Sequence, residues 1–220
     1  MSSFSWESKQ HMTTRTRHIA CFCESSFDAE IPESADLASD AGVEQQILSG
    51  DFMAVTCPAC GKRLTPEFPF RLTGVRTAGE VFLVPQVDRG AYLLGTLDYA
   101  VGNPGRVVIG FPELAEKVLI FSRGLDDRVI EIMKYYLLTG AAGSEQEEEG
   151  DVSLLYRGEE EGKHLFHILG MKEGEVGVAR LAGGIYSKIA ADVERRVLEE
   201  SFKEFCEPPW VSLRKAGGGS

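Results

Sequence analysis

The sequence predicts an α+β fold: an N-terminal zinc-ribbon-like β module with an inserted helix, then a helical hairpin, then a C-terminal β-meander with a long helix. Three observations lead to this prediction: two close-set cysteine pairs, two consecutive helical apolar patterns, and three glycine-bounded strand patterns before a last amphipathic segment. The predicted units are residues 13–88, 89–142 and 151–215. Residues 1–12 and 216–220 are interpreted as tails or cloning additions.

The first strands flank the first cysteine pair. His18–Ala20 leads into Cys21, and Phe27–Ile31 alternates apolar with polar side chains, as a half-buried strand does. Pro32 is predicted to end this second strand, because proline cannot donate a backbone hydrogen bond to a neighbouring strand.

A helix is predicted from Asp40 to Ser49, where Val43, Ile47 and Leu48 share one face. Gly50 then supplies the left-handed residue that commonly ends a helix. The following apolar residues lead the chain to the second cysteine pair.

The two cysteine pairs predict one structural zinc ion held by Cys21, Cys23, Cys57 and Cys60. Within the pairs the cysteines are two and three positions apart, and the intervening chain forms a loop that the metal would close. Pro58 favours the tight turn that lets Cys57 and Cys60 reach one ion. Four thiolates leave zinc no open coordination position, so this site is predicted not to activate water.

Other roles for these residues remain open. His18 lies three positions before Cys21 and could replace a cysteine as ligand or donate to a thiolate, and the pairs could instead form disulfides. The N-terminus has no secretory signal pattern, which predicts a cytoplasmic protein with reduced thiols. The fifth cysteine, Cys206, is predicted to be a buried apolar residue.

The middle of the chain predicts two strands, Val81–Val84 and Arg106–Gly110, and then a helical hairpin. Pro112 begins the first helix, Gly124 ends it, and the Asp126–Asp127 pair caps the second. The predicted inner residues are Leu114, Val118 and Phe121 on the first helix and Val129, Ile130, Met133 and Leu137 on the second; Glu113, Glu116 and Lys117 are predicted to face outward.

An acidic stretch, 141–150, is interpreted as a solvated linker to the last unit. Three strands are predicted there, at residues 152–157, 163–169 and 176–181. One long amphipathic helix is expected from Ile185 to Phe205, ended by Pro208–Pro209. An edge strand is expected to follow at Trp210–Leu213.

No catalytic residue is predicted. The sequence lacks the nucleophile-elbow, phosphate-loop and dinucleotide-binding motifs and the two-histidine zinc helix. His164 and His167 are three positions apart on a predicted strand, so they should face opposite sides and not share a metal. The carboxylates of Asp126 and Asp127 are explained by helix capping.

The charge balance argues against a nucleic-acid partner. The chain carries 23 Lys and Arg against 34 Asp and Glu, a net charge of −11, with few cations near the cysteines. A protein partner is the more plausible one, and no apolar run is long enough to span a membrane. The sequence does not specify an oligomeric state.

Three segments resemble the CpXC domain, a bacterial and archaeal module regarded as a four-cysteine zinc-binding domain. They are Cys21–Cys23, Leu48–Phe52, and Cys57–Gly61 with Pro66–Glu67; Gly124–Glu131 also resembles the segment after the domain in some members. The resemblance covers about residues 16–140, and Glu24 departs from it where a glycine often stands. It implies a fold and a metal but no reaction.

The order of the two cysteine pairs around a helix also resembles the zinc switch of the redox-regulated heat-shock holdase, in which oxidation releases zinc. That switch is C-terminal in its protein, whereas this one is N-terminal. The leading hypothesis is therefore a non-enzymatic, zinc-stabilised interaction or scaffold protein. The alternatives are a redox-responsive chaperone or sensor and an enzyme without a readable motif.

Overall fold

A computed structural model of the protein describes residues 12–141, 152–172 and 174–215. The strands are β1 (Thr13–Ala20), β2 (Ser26–Asp36), β3 (Val55–Thr56), β4 (Arg63–Leu64), β5 (Phe70–Val75), β6 (Gly79–Val84), β7 (Arg106–Ile109), β8 (Ser153–Glu160), β9 (Lys163–Leu169) and β10 (Gly177–Ala182). The helices are α1 (Ala41–Ser49), α2 (Arg89–Leu94), α3 (Phe111–Ser122), α4 (Asp127–Ala141), α5 (Gly183–Ala190), α6 (Val193–Arg196) and α7 (Glu200–Cys206). The predicted α+β class is confirmed.

The strands form a five-stranded mixed sheet in the order β1-β2-β5-β6-β7, a three-stranded antiparallel sheet in the order β10-β9-β8, and the small hairpin β3–β4. The prediction that Pro32 ends the second strand is wrong, because β2 continues to Asp36. Pro32 lies opposite Thr14, next to an irregularity in the β1–β2 register, where a missing N–H disturbs the ladder least. Beyond it, β2 pairs in parallel with β5.

Helix α1 ends at the predicted cap Gly50, and Asp40 is its N-cap. The side chain of Asp40 accepts a hydrogen bond from the Gly42 N–H at 3.0 Å, and Gly50 has φ +76°. Val43 and Ile47 are buried, whereas Leu48, which was expected on the same face, is 41% exposed.

The helical hairpin α3–α4 is present, but the outer face predicted for α3 is wrong. Glu113, Glu116 and Lys117 are each only 1–2% exposed. These side chains are buried because α4, β8 and the C-terminal residues cover that side of α3 and supply partners for the charges.

The last unit contains the three predicted strands, but the single long helix is divided into α5, α6 and α7. The chain turns at Ala191–Asp192 and again at Leu198–Glu199, where Glu199 is extended. The second turn lets Phe202 and Phe205 pack against Tyr135 of α4, at ring-centroid distances of 5.4 and 5.9 Å.

The residues after α7 do not form the expected edge strand. Trp210–Leu213 runs without strand pairing into a short 3-10 turn at Leu213–Lys215. Of the acidic stretch, residues 142–150 lie outside the described residues.

The largest buried apolar cluster includes residues from Ile19 in β1 to Cys206 in α7, and a second, smaller one contains Trp210 and residues of β6 and β7. The unit boundaries 13–88, 89–142 and 151–215 stay a prediction. Within the described ranges, no helix has both the length and the apolar character that a membrane crossing requires.

Candidate metal centre

The first cysteine pair lies in the turn between β1 and β2. The Cys21 N–H donates to the Ser25 carbonyl at 2.8 Å, and the Glu24 N–H donates to the Cys21 carbonyl at 2.9 Å. Closing this turn requires a left-handed residue, and Glu24 takes that conformation with φ +65°. The turn therefore forms without the glycine that often stands at this position in the CpXC domain.

The second pair lies in the turn between β3 and β4. The Cys57 N–H donates to the Lys62 carbonyl, and the Gly61 N–H donates to the Cys57 carbonyl, both at 2.9 Å. Gly61 has φ +73°, which a residue without Cβ adopts at no steric cost. Both pairs are thus held by hairpin turns, although the zinc-ribbon description of the module stays a prediction.

The two turns bring all four cysteine sulfurs within 4.8 Å of one another. The Sγ atoms of Cys21 and Cys60 are 3.7 Å apart, and those of Cys23 and Cys57 are 3.8 Å apart. A tetrahedron with Zn–S bonds of about 2.3 Å has S–S edges of about 3.8 Å. Two of the six S–S distances match this edge and the others are no longer than 4.8 Å, so these four residues, the cysteine cluster, could hold a metal ion.

The cysteine cluster lies at the protein surface. Cys21 and Cys57 are buried and Cys23 and Cys60 are exposed. An ion at its centre would have protein on one side and solvent near two of its ligands.

Ser25 is a neighbour of the cluster that sequence reasoning missed. Its hydroxyl lies 3.0 Å from Cys23 Sγ and 3.3 Å from Cys57 Sγ. Donation by this hydroxyl lowers the pKa of Cys57 to about 6, aided by the backbone N–H groups of residues 59 and 60, although burial opposes the shift. The only sequence signal for Ser25 is a hydroxyl two positions after a ligand.

The tips of the turns carry an exposed aromatic ring. Phe22, between the first two cysteines, is 83% exposed. The Nζ atom of Lys62, from the other turn, lies 4.4 Å from the centre of its ring. An apolar ring with so little protein contact does not contribute to the core.

The histidines stand apart from the cysteine cluster. The Nδ1 atom of His18 lies 2.9 Å from Asp28 Oδ1, and its side chain is 70% exposed. His164 is buried with its Nδ1 3.2 Å from the Tyr156 hydroxyl, whereas the Nδ1 of His167 accepts from Arg157. Among the described residues, the four cysteines form the one group with metal-binding spacing.

The remaining candidates have structural partners. Cys206 is buried as predicted, and burial raises the pKa of its thiol to about 12. The carboxylate of Asp126 accepts from the Arg128 N–H and guanidinium. Asp127 is 1% exposed and belongs to a group of buried charges.

This second group, the ion cluster, joins α3 to α4 and was not predicted. It has three carboxylates and three cations: Glu116, Asp127, Glu131, Lys117, Lys134 and Arg106. Lys117 Nζ lies 3.0 Å from Asp127 Oδ2 and 3.2 Å from Glu131 Oε1. Lys134 Nζ lies 2.7 Å from Glu116 Oε1. The charges balance without an added ion.

The pKa values in the ion cluster follow from burial and pairing. Burial alone would raise the pKa of Asp127, but the charge of Lys117 and the hydrogen bonds from Arg106 outweigh it and lower the pKa to about 2. For Glu131, the charges of Lys134 and Lys117 likewise outweigh burial and lower the pKa. For Glu116, burial prevails and the pKa is raised. Ionised partners therefore hold Asp127 and Glu131 as carboxylates.

The sequence model of the CpXC protein family matches residues 19–134. The chain belongs to the CpXC family. The region matched in this CpXC protein begins at Ile19, two residues before Cys21, includes all four cysteines, and ends at Lys134 of the ion cluster. Both clusters thus lie within the family domain.

An uncharacterised protein of Treponema pallidum (strain Nichols) is 28% identical to this CpXC protein over 141 residues. The aligned part covers 56% of the chain and 63% of the relative, so the chain spans less than two thirds of that protein. No solved structure matches the chain.

Proposed function

We propose that this CpXC protein is a non-enzymatic, zinc-stabilised interaction or scaffold protein of the cytoplasm. Cys21, Cys23, Cys57 and Cys60 would hold one structural zinc ion, and the two turns would present a protein-binding surface. The observation that carries the proposal is the spacing of the four sulfurs, which fits a closed tetrahedral site.

Zinc is the metal that the donor set favours. Four soft thiolates in tetrahedral spacing suit zinc or iron–sulfur chemistry, whereas magnesium and calcium prefer oxygen ligands. Four protein ligands keep no position for water, so the ion would stabilise the turns without taking part in a reaction. Ser25 and the backbone N–H groups near Cys57 would offset the negative charge of the thiolates.

The tip of the first turn is the proposed contact surface. Phe22 is 83% exposed and Lys62 lies beside its ring, so a partner could bury an aromatic anchor next to a cation. Aromatic residues are frequent among those that contribute most to protein–protein affinity.

Substitution of the aromatic anchor tests this surface. Phe22→Ala is expected to keep the bound metal and the fold, because the ring makes little contact with the core, but to lose the partners that the wild-type protein captures at endogenous levels. Leu94→Ala is a matched control, since Leu94 is 79% exposed but lies on α2. Equal capture by all three proteins would contradict the proposal.

A redox-responsive chaperone or sensor is the second candidate, favoured by the exposure of Cys23 and Cys60. Peroxide would take two electrons from two thiolates to form each disulfide, would itself be reduced to water, and would release the zinc. Zinc retained after mild peroxide treatment would exclude this switch. Zinc released together with the loss of four free thiols, and recovered by a dithiol reductant, would place it first.

A further inference from the structure

The residues after Pro209 follow the β7 edge of the five-stranded sheet and contact the helical hairpin beside it. This tail segment, Trp210–Arg214, contacts Glu113 of α3 and Glu131 of α4. Both carboxylates are 1–2% exposed and lie within the family-matched region, which ends some 75 residues before the tail segment.

The two carboxylates bind several different groups of the tail segment. Glu113 accepts from the indole N–H of Trp210 at 3.0 Å, from the hydroxyl of Ser212 at 2.9 Å and from the guanidinium of Arg214 at 3.3 Å. Glu131 accepts from the backbone N–H of Leu213 at 2.9 Å. This pattern recognises side chains as well as backbone.

An apolar pocket accommodates the indole. Trp210 is 2% exposed and packs with Phe82, Val84, Val107 and Ile109 on the face of β6 and β7. Tyr92 meets the indole edge-on at 6.1 Å, and the guanidinium of Arg89 lies 5.8 Å from its centre. Arg89 also donates to the Arg214 carbonyl at 3.1 Å, so α2 holds both ends of the segment.

The tail segment is bound like a peptide ligand and not like a strand of the sheet. The Val107 N–H donates to the Pro209 carbonyl at 2.8 Å, but no strand ladder continues from there. The residues that join the segment to α7, Glu207–Pro209, are exposed. The affinity of the site for the segment therefore depends on the indole, the hydroxyl and the guanidinium, together with buried Val211 and the backbone groups of Pro209 and Leu213.

Without the tail segment, Glu113 would keep only the Ile109 N–H, which donates to it at 2.8 Å, and would lose its Arg214 cation. Water could replace some of these partners, so the loss would fall mainly on the buried indole and on the Glu113–Arg214 ion pair. In this chain the family-matched region therefore binds a segment from outside its own matched range.

We propose that the surface formed by α2, the hairpin α3–α4 and the β7 edge of the sheet is a peptide-binding site, for which the tail segment is the ligand supplied in cis. The site takes a peptide with a tryptophan, a serine two positions later and an arginine two positions after that, the arginine lying in a 3-10 turn. Because the linker keeps its own segment at high local concentration, the wild-type site is occupied.

Binding in trans tests this inference. The probe is a fluorescein-labelled synthetic peptide with the sequence of residues 207–215, and the receptor is the full-length Trp210→Ala/Ser212→Ala/Arg214→Ala variant. Fluorescence anisotropy is expected to show saturable binding to this variant, and binding to the wild-type protein that is at least about tenfold weaker.

Changes confined to the peptide serve as controls, since they cannot affect folding of the receptor. Peptides with alanine at the tryptophan or at the arginine position are each expected to bind at least about tenfold more weakly than the unmodified peptide, because a buried partner is lost. A folded variant that binds no peptide, or binds all three equally, would overturn the inference.

If the triple variant does not fold without the peptide, the measurement is instead whether added peptide makes it fold. Near-ultraviolet circular dichroism should then show that the unmodified peptide restores a native spectrum and that the two alanine peptides do not. Failure of the unmodified peptide to restore the spectrum would equally overturn the inference.

Discussion

The cysteine cluster and the ion cluster both join segments that are distant in sequence, but they balance their charges in different ways. The cysteine cluster joins two turns at the surface, and its four thiolates would need a metal ion to hold them together. The ion cluster joins α3 to α4 in the interior, where three carboxylates and three cations neutralise one another. The first should therefore depend on an external ion and the second on every one of its own side chains.

The largest effect is expected from loss of one cysteine ligand. Cys57→Ser should abolish zinc binding and unfold the N-terminal turns, because apparent zinc binding of about 10–16 kcal/mol in small zinc fingers is also folding free energy. Limited proteolysis should then cut between residues 20 and 64 in this variant first. Cys206→Ala, which changes a buried cysteine outside the cluster, should keep the metal and the protection. Equal protection of both variants would contradict a metal-dependent fold.

Breaking the ion cluster should lower the free energy of unfolding by less than loss of a cysteine ligand does. The loss should be the same with and without metal. Lys117→Met leaves Asp127 and Glu131 short of a buried cation, which should lower the free energy of unfolding by about 3–5 kcal/mol. Urea unfolding measures this loss. Lys188→Met, at an exposed position, should change the value by no more than about 0.5 kcal/mol. A small loss for Lys117→Met would show that the network is not a stabilising contact.

The pH dependence of the unfolding free energy also distinguishes the two clusters. Because the pKa of Asp127 is lowered from 3.8 to about 2, its stabilising contribution is complete above pH 4 and is lost as the pH falls through 2. The difference in unfolding free energy between the wild type and Asp127→Asn should therefore shrink by about 2 kcal/mol between pH 4 and pH 2. Acid release of a metal would affect both proteins alike, so a constant difference would contradict the assignment.

The smallest effect concerns the strained turn of the cysteine cluster. Glu24 has φ +65°, so Glu24→Gly should relieve strain and raise the stability of the metal-loaded protein by up to about 1 kcal/mol, after the greater backbone freedom of glycine is deducted. Glu24→Ala removes the same charge but retains the Cβ, and it should give no such gain. Thermal unfolding of the three proteins measures the order, and a gain for alanine equal to that for glycine would argue against strain.

The two clusters also differ in how far sequence could predict them. The cysteine cluster was predicted because its ligands are pairs in local turns, and Cys57 and Cys60 belong to a residue type with few alternative roles at that spacing. The ion cluster was missed because an isolated amphipathic pattern places Glu116 and Lys117 toward solvent. Their burial depends on β8 and α4, which sequence periodicity does not place.

The same limit explains the other differences. Helix α1 and its cap at Gly50 follow from local rules, as do the strands β6 to β10, and these were predicted. The path of the chain after Ala190 is set by the packing of Phe202 and Phe205 against Tyr135 of α4. The apolar pattern of residues 185–205 is continuous, so it did not predict the two turns that divide the helix. Trp210 was likewise assigned to a strand, because its partner Glu113 lies 97 positions earlier.

The most direct test of the proposed zinc site is zinc K-edge X-ray absorption on freshly purified, reduced protein, together with elemental analysis. One zinc per chain with four sulfur neighbours at about 2.3 Å is the predicted result. A protein purified without metal, or a zinc ion with nitrogen or oxygen neighbours in place of any of the four sulfurs, would contradict the proposed site.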